Sequence, residues 1–144
     1  MLYEKILLAY NGTVEGRAAL LASEKLADFA GRQIHLLAVA SMPSSMFLTE
    51  GFVPEELIET EKARMQAILE EGLATLRANK LSVTGHLAVG EPVEEMARLA
   101  RELECDLIMV GHKQTAGWAR WWQGSISRNL VDHAPCSVLI TITR

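Results

Sequence analysis

Apolar residues along the chain form short continuous runs that alternate with longer stretches of helical periodicity. The first run, residues 5–10, ends at the turn signal Asn11-Gly12-Thr13 and predicts a buried strand. From Val14 onward, apolar side chains recur at spacings of three and four until Gly31, which predicts a helix. Ile34 to Ala40 is a second apolar run, so a helix separates two strands, as a parallel pair requires.

The same alternation continues through the rest of the chain. The pattern predicts a long helix from Pro54, an edge strand from Val83 to Val89 that Gly90 ends, a helix from Glu91 to about Glu104, a strand from Asp106 to Val110, a helix from Ser125 to about His133, and a last strand from Cys136 to Ile142. Five strands alternating with four helices predict an α/β protein with a mostly parallel sheet.

Two segments contain aromatic residues without a clear period. Residues 41–53 are predicted to be a loop whose Met46, Phe47 and Phe52 could close over a ligand, bury against a partner or fold back on their own domain. A second loop follows Val110, and Trp118, Trp121 and Trp122 lie in it. These tryptophans could pack the loop down, cover a ligand or form a partner surface.

Composition narrows the function classes. A chain of 144 residues is expected to form one domain, residues 1–144. Its net charge of -4 leaves no basic face for a nucleic-acid backbone, and its apolar runs are too short for membrane insertion. Residues 1–5 lack the cationic start of a signal peptide, so a cytoplasmic location is expected.

The residues that could bind a metal or form a disulfide are dispersed. Cys105 and Cys136 lie next to predicted strand starts, and we expect them to be small core residues rather than a disulfide. The four histidines have no metal-ligand spacing. We therefore expect no metal site formed by the protein alone.

A candidate binding site is predicted at the carboxyl ends of the strands. In an open parallel sheet, ligands bind where the strand order changes direction. If the first and fourth strands are neighbours, the Asn11 turn and the loop from Gly111 face each other there. Neither GxGxxG, GxxxxGK[ST], a cluster of strand-end acids nor GxSxG occurs, so the sequence predicts no catalytic residues.

Gly124, Ser125 and Ile126 begin the predicted fourth helix. The amides of a helix start lack intrahelical partners and lie at the positive end of the helix dipole, so these residues could hold a phosphate. In a second interpretation, Gly124 turns the chain and Ser125 caps the helix. Both interpretations remain open on the sequence.

Several stretches together resemble the universal stress protein family. They are residues 5–9 with the following turn, Gly90-Glu91-Pro92, the run from Cys105 to Gly111, Gly124-Ser125, and the run from Ala134 to Ile140. One branch of that family binds ATP through the motif GxxGx9G[ST]. The positions of Gly111, Gln114, Gly124 and Ser125 match the spacing of that motif.

The chain departs from that branch at two positions. Gln114 replaces the second glycine of the motif, which adds a side chain where the backbone would approach phosphates. Asn11 replaces an aspartate, so it can accept a hydrogen bond at the adenosine end but brings no charge. The loop Gly111-His112-Lys113-Gln114 also resembles that of the branch thought not to bind nucleotide.

The resemblance implies a doubly wound five-stranded parallel sheet of order 3-2-1-4-5, with helices on both faces, as in the adenine nucleotide alpha hydrolase-like fold. It implies a site for ATP or AMP, with Mg²⁺ as a possible companion. The residues that it assigns to this site are Tyr10, Asn11, Gly12, Val39, Gly111, His112, Lys113, Gln114, Gly124, Ser125, Ile126 and Ser127. Val39 could equally be an ordinary core residue, and Lys113 and Arg120 could neutralise phosphates or be surface cations.

The resemblance therefore implies a stress-response sensor or signalling module that binds an adenine nucleotide. The alternative is a universal stress protein that binds no nucleotide and works as a protein-interaction module with an unknown partner. Slow ATP hydrolysis is a third possibility, for which no base is positioned. The last strand is apolar and lacks proline, and the resemblance implies a homodimer that pairs these strands.

Overall fold

The sheet of this protein consists of five parallel strands. The structure is a computed structural model that describes residues 3–27, 32–41, 54–113 and 126–143. The strands are β1 (Lys5–Ala9), β2 (Gln33–Ser41), β3 (Val83–Gly90), β4 (Leu107–Lys113) and β5 (Ser137–Thr143). Their order is β3-β2-β1-β4-β5, and each neighbouring pair is parallel. The expected α/β class and strand order are confirmed, with β3 and β5 at the edges.

Four helices lie in the described part of the chain, two on each face of the sheet. They are α1 (Val14–Ala27), α2 (Glu55–Ala78), α3 (Pro92–Glu102) and α4 (Ile126–His133). Helices α1 and α2 cover one face and bury the even-numbered side chains of β1 and β2, including Leu8 and Leu36. Helices α3 and α4 cover the other face, where Leu7 and Leu37 are buried. Strands buried on both faces explain why their sequences are continuously apolar.

The end of β4 differs from its prediction. The sequence placed Gly111, His112 and Lys113 in a loop, but the structure places them in the strand, where they pair with Thr141, Ile142 and Thr143 of β5. A long apolar neighbour strand supplies the hydrogen-bonding partners that the local sequence pattern does not reveal. The other boundaries that fall in the described residues agree with the predictions to within about three residues, whereas the predicted end of the first helix at Gly31 lies outside them.

The amino ends of β1 and β4 are joined through Asp106. Its Oδ2 accepts a hydrogen bond from the Glu4 backbone N–H at 2.8 Å, and its Oδ1 accepts one from the Lys5 N–H at 3.0 Å. The Asp106 N–H in turn donates to the Lys5 carbonyl at 3.0 Å. One side chain therefore closes this end of the central strand pair.

Several predicted features lie outside the described residues. These are Gly31, the loop residues 42–53 with Met46, Phe47 and Phe52, and residues 114–125 with Trp118, Arg120, Trp121 and Trp122. Within the described ranges, no helix is both long and apolar enough to cross a membrane.

Candidate functional site

A crevice opens where β1 and β4 separate. Their pairing ends at Leu8 and Met109, whereas β4 continues beside β5 as far as Lys113 and Thr143. Strands β2 and β3 lie on one side of β1, and strands β4 and β5 lie on its other side. The gap between β1 and β4 is therefore the point where the strand order changes direction. A cavity of about 310 Å³ occupies the position.

The cavity lies between the two helical layers. Strand ends line it with Ala9, Tyr10, Leu37, Val39, Ser41, Val110 and Gly111. The turn and first helix contribute Asn11, Thr13 and Gly16. Met65 of α2 and Met96 of α3 close it from opposite faces of the sheet. Its lining is apolar with a few polar groups, which is the usual character of a small-molecule site.

The Asn11 turn is fixed by its own hydrogen bonds. Asn11 Oδ1 accepts from the Thr13 N–H at 3.1 Å and from the Thr13 hydroxyl at 2.6 Å. Thr13 Oγ1 accepts from the Gly16 N–H at 3.1 Å, which caps α1. A backbone N–H can only donate, so the Asn11 atom that faces it is the oxygen. The expected acceptor of Asn11 is therefore already in use, and within the described residues its amide nitrogen has no hydrogen-bond partner and is available to a ligand.

Tyr10 lines the crevice with its ring while its hydroxyl is bonded elsewhere. The hydroxyl donates to Glu71 Oε2 at 2.6 Å and accepts from Arg17 Nη1 at 3.4 Å, and Arg17 also pairs with Glu71. Burial and the nearby Glu71 raise the pKa of Tyr10. The hydrogen bond from Tyr10, followed by the contacts of Arg17, lowers the pKa of Glu71. These three residues attach β1, α1 and α2 to one another below the cavity.

Gly111 lies directly under the first turn of α1. A Cβ at this position would stand 1.8 Å from the Glu15 carbonyl oxygen and 2.8 Å from the Gly16 nitrogen. Backbone atoms cannot move away as a flexible side chain can, so only glycine fits here. The first glycine of the nucleotide motif thus has a packing role in this chain, whether or not a phosphate approaches it.

Arg64 is the charged residue among the described residues that line the cavity. Its Nη2 and Nε donate to Glu61 Oε1 and Oε2 at 2.7 and 3.1 Å, and this pair lowers the pKa of Glu61. Arg64, Thr13 and Met96 also line the cavity, although the sequence patterns did not indicate them as site residues. Arg64 precedes the buried Met65 in α2, but no sequence signal marks it as a cavity residue, because its place there arises only when α2 packs on the sheet.

The structure brings together only part of the predicted site. Tyr10, Asn11, Val39 and Gly111 line one cavity, and Gly12 lies in the adjoining turn with a φ of 80°. His112 and Lys113 continue β4, and Ile126 and Ser127 begin α4. Gln114, Gly124 and Ser125 fall outside the described residues.

Another cavity of about 360 Å³ lies between α3 and α4. Glu91, Glu94, Arg101 and His133 are among its lining residues. Among the described residues, none from β1 or β4 lines it, so we place the candidate site at the β1 and β4 crevice despite the similar volume. Across the described ranges, no three His, Cys, Asp or Glu side chains are grouped to hold a metal ion.

Comparisons with known proteins identify the family. The sequence model of the universal stress protein family matches residues 2–141. A relative named as a universal stress protein from Staphylococcus haemolyticus is 33% identical over 146 residues, which cover 98% of this chain and 86% of the relative. The chain belongs to the universal stress protein family.

Solved structures of the family share the fold. A universal stress protein family member from Burkholderia pseudomallei is 25% identical, with a TM-score of 0.73 over 96% of this chain and 95% of that one. A universal stress protein in complex with cAMP is 21% identical and has a TM-score of 0.72, with both chains covered completely. A family protein from Arabidopsis thaliana with AMP bound is 16% identical, with a TM-score of 0.71 over 97% of this chain and 92% of that one. The fold is that of the adenine nucleotide alpha hydrolase-like proteins.

Proposed function

We propose that this chain binds an adenine nucleotide in the crevice between β1 and β4 and acts as a stress-response sensor or signalling module. The observation that carries the proposal is the cavity of about 310 Å³ at the point where the strand order changes direction. Two structures with this fold are described as complexes, one with cAMP and one with AMP. Both facts favour a nucleotide of this class over an unrelated small molecule.

The lining suggests how such a ligand is held. Leu37, Val39 and Met96 offer an apolar surface for a purine ring. Asn11 supplies a hydrogen-bond donor because its oxygen is already bonded to Thr13. The family motif assigns the phosphates, and with them any Mg²⁺, to Gly124, Ser125, Ile126 and Ser127. Gln114 stands where that motif has glycine, so this chain would give the phosphates less room.

Nucleotide extraction provides the first test. Protein purified without added ligand is denatured, and the released small molecules are separated and identified. Calorimetry with ATP, AMP and cAMP then gives affinities for protein freed of ligand. A released adenine nucleotide, or measurable binding of one of the three, supports the proposal; the absence of both favours the alternative interaction module, in which the Trp-rich loop contacts a protein partner.

A pair of matched variants tests the location of the site. Val39→Phe fills the cavity beside β2, and we expect it to weaken binding at least about tenfold by excluding the ligand. Val131→Phe makes the same change on the exposed side of α4, where Val131 is 58% exposed, and should leave binding unaltered. Gly124→Val should abolish binding, and Gln114→Gly should tighten it. Equal affinities for the two phenylalanine variants would refute the crevice as the site.

We also propose that the protein forms a homodimer through β5. This edge strand carries Leu139 and Ile142, which are 41% and 51% exposed. An apolar edge without proline is a template for pairing with another strand, and a two-fold axis closes such a contact. Val138 and Ile140 pack partly on the core of their own chain, so Ile142 is the better position for a test.

Light scattering measures the molar mass and so distinguishes a dimer from a monomer. The unmodified protein should have the mass of a dimer at micromolar concentration, and Ile142→Lys should lower that mass toward a monomer. Val131→Lys places the same charge on an exposed helix residue and controls for the change in net charge. A monomeric mass for the unmodified protein would refute the dimer.

A further inference from the structure

His35 and His86 form a close pair on neighbouring strands outside the crevice. The register places Leu37 opposite His86 and His35 opposite Thr84, so the two histidines are diagonal neighbours on β2 and β3. His35 Nδ1 lies 3.0 Å from His86 Nε2, and the ring centroids are 5.2 Å apart with a tilt of 42°. Neither imidazole takes part in the proposed nucleotide site.

The separation of the two nitrogens matches that of two ligands on one metal ion. Imidazole nitrogens bind Zn²⁺ at about 2.0–2.1 Å, so two of them at an angle of 90–110° are about 2.8–3.4 Å apart. The observed 3.0 Å falls inside this range. Strands of one sheet hold the two backbones in fixed register, so little ordering of the protein is required when the ion binds.

The two imidazoles are partly buried, and the charge of Lys5 is near enough to act on His35. Burial lowers the pKa of both imidazoles, and His86 and Lys5 lower that of His35 further. A neutral imidazole is the form that coordinates a metal. In the described part of the chain no third His, Cys, Asp or Glu completes a group, so water would fill the remaining coordination positions.

We propose that His35 and His86 form a two-imidazole site for a divalent transition-metal ion. Among first-row ions, Cu²⁺ forms the strongest complexes with nitrogen ligands, and imidazole also suits Ni²⁺ and Zn²⁺ but not Mg²⁺. A site with two protein ligands is weaker than a closed four-ligand site and exchanges its ion readily. The pair is thus suited to respond to a rise in metal concentration rather than to hold a permanent structural ion.

Calorimetric titration with Cu²⁺ at pH 7, in a buffer that does not coordinate metals, tests the site. We expect the unmodified protein to bind one Cu²⁺ ion. The affinity of His35→Gln and of His86→Gln for Cu²⁺ should each be lower by about tenfold or more, because glutamine supplies no imidazole. His133→Gln is the matched control, since His133 is exposed and its Nδ1 contacts the Asn129 carbonyl in α4. Affinities that are unchanged in both strand variants would overturn the proposal and leave a pair that only shares a proton.

A second measurement uses the unmodified protein and does not depend on the folding of a variant. Paramagnetic Cu²⁺ broadens the NMR signals of nearby nuclei, so a small fraction of an equivalent should broaden the imidazole signals of His35 and His86 before those of His112 and His133. Earlier broadening at either of the other two histidines would place the ion elsewhere. Mg²⁺ should leave all four sets of signals in place.

Discussion

The two ends of the β1 and β4 pair differ although the strands are the same. At the amino ends, the Asp106 carboxylate accepts from two consecutive N–H groups of the other strand and holds the pair closed. At the carboxyl ends, pairing stops at Leu8 and Met109, and the cavity begins there. Among the described residues, hydrogen bonds at that end run within the Asn11 turn, toward α2, or from the Tyr10 N–H to the Leu37 carbonyl of β2, rather than across the gap to β4.

The difference separates groups that stabilise the fold from groups left for a ligand. At the closed end, both Asp106 oxygens have protein partners. At the open end, the turn is stabilised by Asn11 Oδ1 and Thr13, while Asn11 and the apolar strand ends line the cavity. The comparison therefore predicts that closed-end variants change stability alone, whereas open-end variants change both stability and binding.

Gly111→Ala should lower the free energy of unfolding more than any of the other variants. The added methyl would stand 1.8 Å from the Glu15 carbonyl oxygen, so α1 or β4 must shift, at a cost of about 3 kcal/mol or more. Urea denaturation measures the loss. Gly12→Ala is the control, because it strains a φ of 80° without a backbone clash and should cost only about 1–2 kcal/mol. A smaller loss for Gly111→Ala than for Gly12→Ala would contradict the packing role.

Asp106→Ala should have the next largest effect and lower the free energy of unfolding by about 2 kcal/mol. It leaves the N–H groups of Glu4 and Lys5 without their charged acceptor, and part of that loss is recovered by water at the exposed strand start. Asp106→Asn keeps one accepting oxygen and should lose less. Calorimetry on Asp106→Ala should give an unchanged affinity for any nucleotide that the unmodified chain binds. A weakened affinity would mean that the amino and carboxyl ends of the β1 and β4 pair are not independent.

Thr13→Ala should cost about 1 kcal/mol, because it removes the hydroxyl that caps α1 through the Gly16 N–H. The same hydroxyl donates to Asn11 Oδ1, so its loss leaves the Asn11 oxygen held by the Thr13 N–H alone. We expect weaker ligand binding together with the loss of stability. Thr13→Ser keeps the hydroxyl, and a loss as large as that of alanine would show that the cap is not the cause.

Tyr10→Phe should have the smallest effect and lower the free energy of unfolding by less than about 1 kcal/mol at pH 7. The Tyr10 hydroxyl donates to Glu71, which is exposed to solvent, so water replaces much of the lost bond. The bond from Tyr10 lowers the pKa of Glu71 in the folded protein, so its stabilisation is present above the ordinary value of 4.5 and is lost as the pH falls through the lowered pKa. Urea denaturation at neutral and acidic pH should show the difference between Tyr10→Phe and the unmodified protein shrinking on acidification. A difference that grows would reverse the assigned sign.

The sequence predicted the layout of the sheet better than the details of the site. Continuous apolar runs at β1 and β2 are sufficient to indicate buried parallel strands, and the Asn11-Gly12 turn marks where β1 ends. The bonds between Asn11 and Thr13 are local to the predicted turn, but spacing alone could not show that Gly111 meets the carbonyl of Glu15, because that contact depends on where α1 lies over β4. Arg64 was missed for the same reason, since its position at the cavity arises only when α2 packs on the sheet.

The central place of β1 has a consequence for how the chain folds. Lys5 and Asp106, whose contact closes the amino end, are 101 residues apart in sequence, and β1 lies between β2 and β4. A chain that emerges from the ribosome can pair β1 with β2 early, but the other side of β1 stays unpaired until β4 has been synthesised. During that interval a buried apolar strand is a temporary sheet edge, and such non-local parallel pairing is slow to form. Nascent chains of this protein are therefore most exposed to aggregation before residue 107 is free to join the sheet.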